Sequence, residues 1–162
     1  MTELVNPNPT VFRDALQHQP QRSAEELLQE QDESFRDPID SLEVFHHIRS
    51  IRDPEHPNTL EELKVVEPEL IRVDEVKQTV RVQFTPTVPH CSMTTLIGLC
   101  ISLKLQRSLP RGTKVDVYVT PGSHEQEEQV NKQLNDKERV AAALENKNLL
   151  NVVESCLNEF EW

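Results

Sequence analysis

Two periods of apolar residues alternate along the chain from Asp37 onward. Asp37 or Asp40 can cap a helix carrying Leu42, Phe45, Ile48 and Ile51, which spacings of three put on one face. Arg49 and Arg52 then fall in its last turn, opposite the negative helix end, and Asp53-Pro54-Glu55-His56-Pro57 stops it before a short capped turn, Thr59 to Leu63. The period then drops to two. Ile71 and Val73 alternate with Arg72 and Asp74, and Val80, Val82 and Phe84 with Arg81 and Gln83, which predicts a hairpin turning at Glu75 to Gln78 with one buried face. Ser92 to Arg107 holds Met93, Leu96, Ile97, Cys100, Ile101, Leu103 and Leu105, too many apolar residues for a surface helix, so this helix is expected at the centre. Within it, Gly98 suits close approach of a neighbour. Val115, Val117 and Val119 predict a third strand closed by Thr120-Pro121-Gly122. Three helices should follow: one opened by a capping box at Ser123 and Gln126 and carrying Val130 and Leu134, one striped by Val140, Ala141 and Leu144, and one by Leu149, Leu150, Val153 and Leu157. The order predicts an α+β domain whose small three-stranded mixed sheet, a β-hairpin plus one right-handed βαβ crossover, is packed by helices.

The segment before Asp37 lacks this patterning. Nine acidic residues precede Ser41 against Arg13, Arg22 and Arg36, with Pro7, Pro9 and Pro20 interspersed. We read residues 1–36 as a flexible acidic arm, 37–157 as the domain and 158–162 as an aromatic and acidic tail. The arm's one helical stretch, Ser23 to Leu28, would need a partner surface to hold it.

Charge narrows the function. With 28 acidic against 17 basic residues the net charge is −11, which disfavours any contact with a nucleic-acid backbone. No apolar run is long enough to span a membrane and no signal-like segment opens the chain, so a cytosolic or nuclear protein is expected. Three cysteines at irregular spacings form no disulfide framework and are expected as thiols. Only Gly98, Gly112 and Gly122 are glycines, so no phosphate-cradling loop is present.

The residue with the most chemistry is Cys91, where the strand leaving at Phe84 becomes the central helix. Free N–H groups and the helix dipole stabilise a thiolate at such a position, and His90, when protonated, would add to this. Pro86 and Pro89 stiffen the approach. The plainer alternative is a small residue filling a helix start. Cys91 and Cys100 are nine residues apart, close to half a turn out of phase and about 13.5 Å along a helix, so they cannot share one ion. Without a Cys-x-x-Cys, Cys91 is the one plausible ligand, and a metal there would need others from another chain or distant loops. Cys100 reads as core, and Cys156 is left open. His46 and His47, adjacent on a helix, diverge by about 100° and are taken as half-buried. Asp53, Glu55 and His56 are acid/base groups, ligands or helix-stop residues, the last being the default for such a composition. Phe160 and Trp162, at the tail, would either seat in a partner's pocket or dock on their own domain.

Three stretches, Ile51 to Leu63, Phe84 to Met93 and Val130 to Glu145, closely resemble the eukaryotic MIP-eighteen family, whose members are mitotic spindle-associated MMXD complex subunits and cytosolic iron–sulfur protein assembly factors. SufT and PaaD-like domains are distant relatives. The resemblance, covering residues 37 to 157, implies a non-enzymatic adaptor of the targeting complex that delivers iron–sulfur clusters to cytosolic and nuclear apoproteins. It implies a β-propeller subunit and a large helical-repeat subunit as partners, Cys91 as the functional thiol, and Asp53, Pro54 and Glu55 as a signature beside it. No stably bound cofactor is expected, only a cluster in transit. Client apoproteins are the further partners expected, with no membrane and no direct nucleic-acid contact, and a homodimer is left open. Two rivals stand beside the adaptor: a cysteine-dependent thiol transferase with His90 or Glu55 as base, and a structural interaction module with Cys91 in its core.

Overall fold

The structure is a computed structural model that describes residues 39–88 and 93–158. The arm, His90, Cys91, Phe160 and Trp162 lie outside the described residues. Among those described, the elements are α1 (Ser41–Ile48), a 3-10 turn (Pro68–Leu70), β1 (Ile71–Asp74), β2 (Thr79–Phe84), α2 (Thr94–Ser108), β3 (Lys114–Val119), α3 (Glu127–Asn135), α4 (Lys137–Glu145) and α5 (Lys147–Leu157). The sheet order is β1-β2-β3, with β1 antiparallel and β3 parallel to β2. The α+β class and the mixed three-stranded sheet are therefore as the alternation requires.

Register makes one face of the sheet apolar. Ile71 lies opposite Val82, Val73 opposite Val80, and Val80, Val82 and Phe84 opposite Val115, Val117 and Val119. That face joins α1 and α2 in a single core with Val44, Phe45, Ile48, Ile97, Ile101 and Leu105. The other face carries Arg72, Arg81 and Tyr118, with the Arg81 guanidinium 5.0 Å above the Tyr118 ring. Helix α3 runs along β3 on the side away from β2. Its Asn131 and Asn135 accept hydrogen bonds from the Val119 and Val117 N–H groups at 2.8 and 3.2 Å, and Asn135 donates to the Val117 carbonyl at 3.0 Å. Gly98 of α2 leaves room for Leu134 of α3: a Cβ built there would lie 2.4 Å from Leu134 Cδ1.

Several local expectations need correction. Asp40 caps α1 by accepting from Glu43 N–H, but the helix ends at Ile48. Ile51 is buried beyond it, because its N–H turns back to Ile48 and its carbonyl accepts from Leu60, sending the chain into a bridge between Arg52 and Thr59. Arg52 therefore serves that bridge and not a last turn, and Val44 takes the core place expected of Leu42. His46 is exposed and His47 partly so. Ser123 does not cap α3; its hydroxyl donates to Thr120 O and helps close the turn at Gly122, whose φ is +79°. Helix α4 has no buried residue, so Val140, Ala141 and Leu144 form only a shallow stripe.

Candidate functional site

The route to Cys91 leaves the sheet at the carboxyl ends of two parallel strands, where ligands of open α/β sheets commonly sit. Phe84 O accepts from Thr120 N–H at 2.9 Å, Thr85 N–H donates to Val65 O at 2.8 Å, and the Thr85 and Thr120 hydroxyls share a 2.8 Å hydrogen bond. Pro86 is buried. The strand exit is thus pinned on both sides before the chain reaches Val88. On the far side, Met93 accepts from Ile97 N–H as α2 begins at Thr94, three residues after Cys91. Cys91 and His90 themselves lie outside the described residues, so their environment is not part of this geometry.

The loop Asp53 to Asn58 is closed at its neck by the Arg52–Thr59 bridge and by Asp53 N–H donating to Asn58 O at 2.9 Å. Inside it, Asp53 Oδ1 accepts from Glu55 N–H at 2.8 Å and His56 N–H at 3.1 Å, so the buried carboxylate holds the turn that Pro54 permits. This accounts for Asp53 as a shape-giving residue. His56 is 5% exposed, and its Nε2 is buried without a hydrogen-bond partner among the described residues. Outside the loop, the Arg49 guanidinium grips both carboxylate oxygens of Glu61 at 2.9 Å.

The pattern analysis left Cys156 open, and here the structure adds most. Cys156, in the last turn of α5, is buried, as is Cys100 in the middle of α2, and the two helices pack against each other. The Cys100 thiol draws the pKa of the Cys156 thiol down to about 7, against the opposing effect of burial. The same interaction, then burial, pushes Cys100 far above the thiol range. Arg52 N–H, next to Asp53 in the chain, donates to the Cys156 carbonyl at 3.0 Å. The signature loop is anchored to α5 at that point. A sequence signal existed for Cys156: with Val153 and Leu157 it shares the buried face of α5 at helical spacing. Nothing along the chain announced the contact of its carbonyl with the Arg52 amide, 104 residues away. Among the described residues, no group of three or more His, Cys, Asp or Glu side chains is arranged to hold a metal ion, and no helix is long and apolar enough to cross a membrane.

Known proteins resemble this chain along most of its length. The family described as iron-sulfur cluster assembly protein matches residues 42–119. Protein AE7 of Arabidopsis thaliana is 62% identical over 78% of this chain and 80% of its own. The mouse protein named cytosolic iron-sulfur assembly component 2B is 56% identical, over 96% of this chain and 91% of its own. The MIP18 family protein galla-2 of Drosophila melanogaster is 53% identical over 96% of each chain. At this identity and coverage the chain belongs to the MIP18 family of iron–sulfur cluster assembly proteins.

Proposed function

We propose that this protein works in cytosolic iron–sulfur protein assembly as a non-enzymatic adaptor, with Cys91 as its functional thiol. The observation that carries the reading is the near full-length match to a relative named as a cytosolic iron-sulfur assembly component. The pinned strand exit on one side and the start of α2 on the other hold the ends of the short segment containing Cys91, which suits a thiol presented at a fixed place. In this reading the cluster is cargo. Cys91 contacts it in transit or engages the client, and the acidic surface and outer helices meet a β-propeller subunit and a large helical-repeat subunit. Asp53 and Pro54 shape the signature loop that carries Glu55, while His90, when protonated, favours the thiolate. The protein serves clients in cytosol and nucleus.

The test is reconstitution of the chain with both partner subunits and a client apoprotein, comparing wild type with Cys91→Ala. The variant is expected to fold with an unchanged melting midpoint and to enter the complex, but to leave the client without its cluster, read by absorbance and iron content. Full client maturation by the variant would overturn the role of Cys91. Failure of the wild type to join either subunit would overturn the adaptor reading.

A further inference from the structure

The end of the sheet away from Phe84 holds a cavity of about 400 Å³ that takes no part in the reading above. Its floor is the inward side of the hairpin, where Val73 and Val80 lie opposite each other in the register, and Ile39 closes it beside them. Two turns make its rim. In the hairpin turn Gln78 takes a φ of +49°, and in the turn from Pro110 to Thr113 Gly112 takes +88°. Lys114 N–H donates to Gln78 O at 2.9 Å and ties the two turns together, so the opening has a fixed outline.

Charge is divided across the mouth. Asp74 and Glu75 stand on the hairpin side and Arg111 on the other. Asp74 uses one oxygen to accept from Lys77 N–H at 3.1 Å, while neither the Glu75 carboxylate nor the Arg111 guanidinium has a hydrogen-bond or ion-pair partner among the described residues. An apolar floor below two acids and one cation fits a peptide with a large apolar side chain flanked by charges of both signs. This chain carries such a peptide at that spot. Ile39 is the first described residue and itself lines the cavity, so the segment before it departs from the rim. Reading back from Ile39, the first large apolar side chain is Phe35, with Arg36 and Asp37 after it and Glu33 before it. Four residues span at most about 14 Å, so Phe35 is tethered close to the mouth. A tether this short gives an effective concentration in roughly the millimolar range, which lets a weak contact form. A cavity of about 150 Å³ already admits benzene, so this one has space for a phenyl ring and the backbone beside it.

We propose that the segment Glu33 to Asp37 docks into this cavity, with Phe35 inserted over Val73 and Val80, Arg36 against Asp74 and Glu75, and the acidic flanks Glu33 and Asp37 facing Arg111. The occupant is the root of the chain's own arm, which thereby belongs to the domain. The inference is independent of the role given to Cys91, because the segment containing Cys91 leaves from the opposite end of β2.

The experiment uses the full chain carrying Phe35→p-benzoylphenylalanine, irradiated at low micromolar concentration, with the cross-links mapped by mass spectrometry. Links should form within one chain, to the peptides holding Val73 to Val80 and Pro110 to Thr113. Arg36→Glu on this background should lower their yield several-fold, and adding Glu75→Arg should bring it back. As a second measurement, hydrogen exchange in full-length Phe35→Ala should rise across Asp74 to Thr79 and Pro110 to Lys114 relative to wild type, and stay unchanged in the middle of α2. Three results would each overturn the proposal. Links that form only between chains and grow with concentration would give the cavity to a second copy. A small molecule retained in the native mass spectrum, with exchange indifferent to Phe35→Ala, would make it a ligand pocket. Links scattered over the surface, or none, would leave the arm undocked.

Discussion

A methyl group at position 98 has no space to occupy. A Cβ there would lie 2.4, 2.7 and 3.1 Å from Cδ1, Cδ2 and Cγ of Leu134, so the whole branched end of a buried side chain would have to move. Alanine gains about 1 kcal/mol of helix propensity over glycine, but overpacking a filled core costs about 1–3 kcal/mol. Gly98→Ala is therefore expected to lower stability by about 1–2 kcal/mol in urea unfolding, the steric cost winning. A stabilised variant would show that Leu134 yields freely. Glu61 poses the opposite problem. Its carboxylate is 6% exposed and holds both Arg49 nitrogens, and Arg49 also lies 5.6 Å above the Phe45 ring. Glu61→Ala strands a largely buried cation, with an expected loss of about 1–3 kcal/mol by chemical denaturation. A loss of a few tenths would place the pair among ordinary surface bridges. Gly98 was legible from its neighbours, since a glycine inside an apolar helix implies close approach. The Arg49–Glu61 grip was not, because the two residues belong to different local patterns that only the bridge at Arg52 brings together.

Helices α3, α4 and α5 follow one another with a single residue at each joint. Asp136 ends α3 and caps α4 by accepting from Glu138 and Arg139 N–H, and Asn146 ends α4 and caps α5 in the same way. Each joint turns the chain sharply because the capping residue is extended, with ψ of 106° and 112°. Since α4 buries no residue, its cap supplies a large share of what keeps it helical. Asp136→Ala should cost about 1 kcal/mol. Hydrogen exchange should rise first across Lys137 to Glu145, and uniform loss of protection through the core would show that α4 is not an independent unit. These joints mark where pattern reading reaches its limit at this scale. The three apolar stripes revealed three helices, but depth of burial depends on what each stripe meets. Likewise α1 stops at Ile48 although Ile51 is still in phase, because Ile51 donates to the Ile48 carbonyl and accepts from Leu60 N–H in place of another helical turn.

At the scale of the molecule, the order of periods carried the topology: alternation, an all-round apolar helix and alternation again leave a crossover as the economical solution, and the register confirms which side of each strand is inward. The contact of the Arg52 amide with the Cys156 carbonyl was out of reach, since segments so distant in sequence meet only once α5 packs on α2. One further consequence follows from the way α3 occupies the flank of β3. The carbonyl of Val117 and the amides of Val117 and Val119 are already engaged by Asn131 and Asn135. The middle of that sheet edge is therefore withdrawn from pairing, which breaks up the row of backbone groups on which a second molecule could crystallise as a fourth strand. Protection of this kind lasts only while α3 stays docked. A chain that shed α3 under heat or crowded synthesis would bare a valine-rich template, and the two asparagines are in that sense the protein's guard against polymerisation.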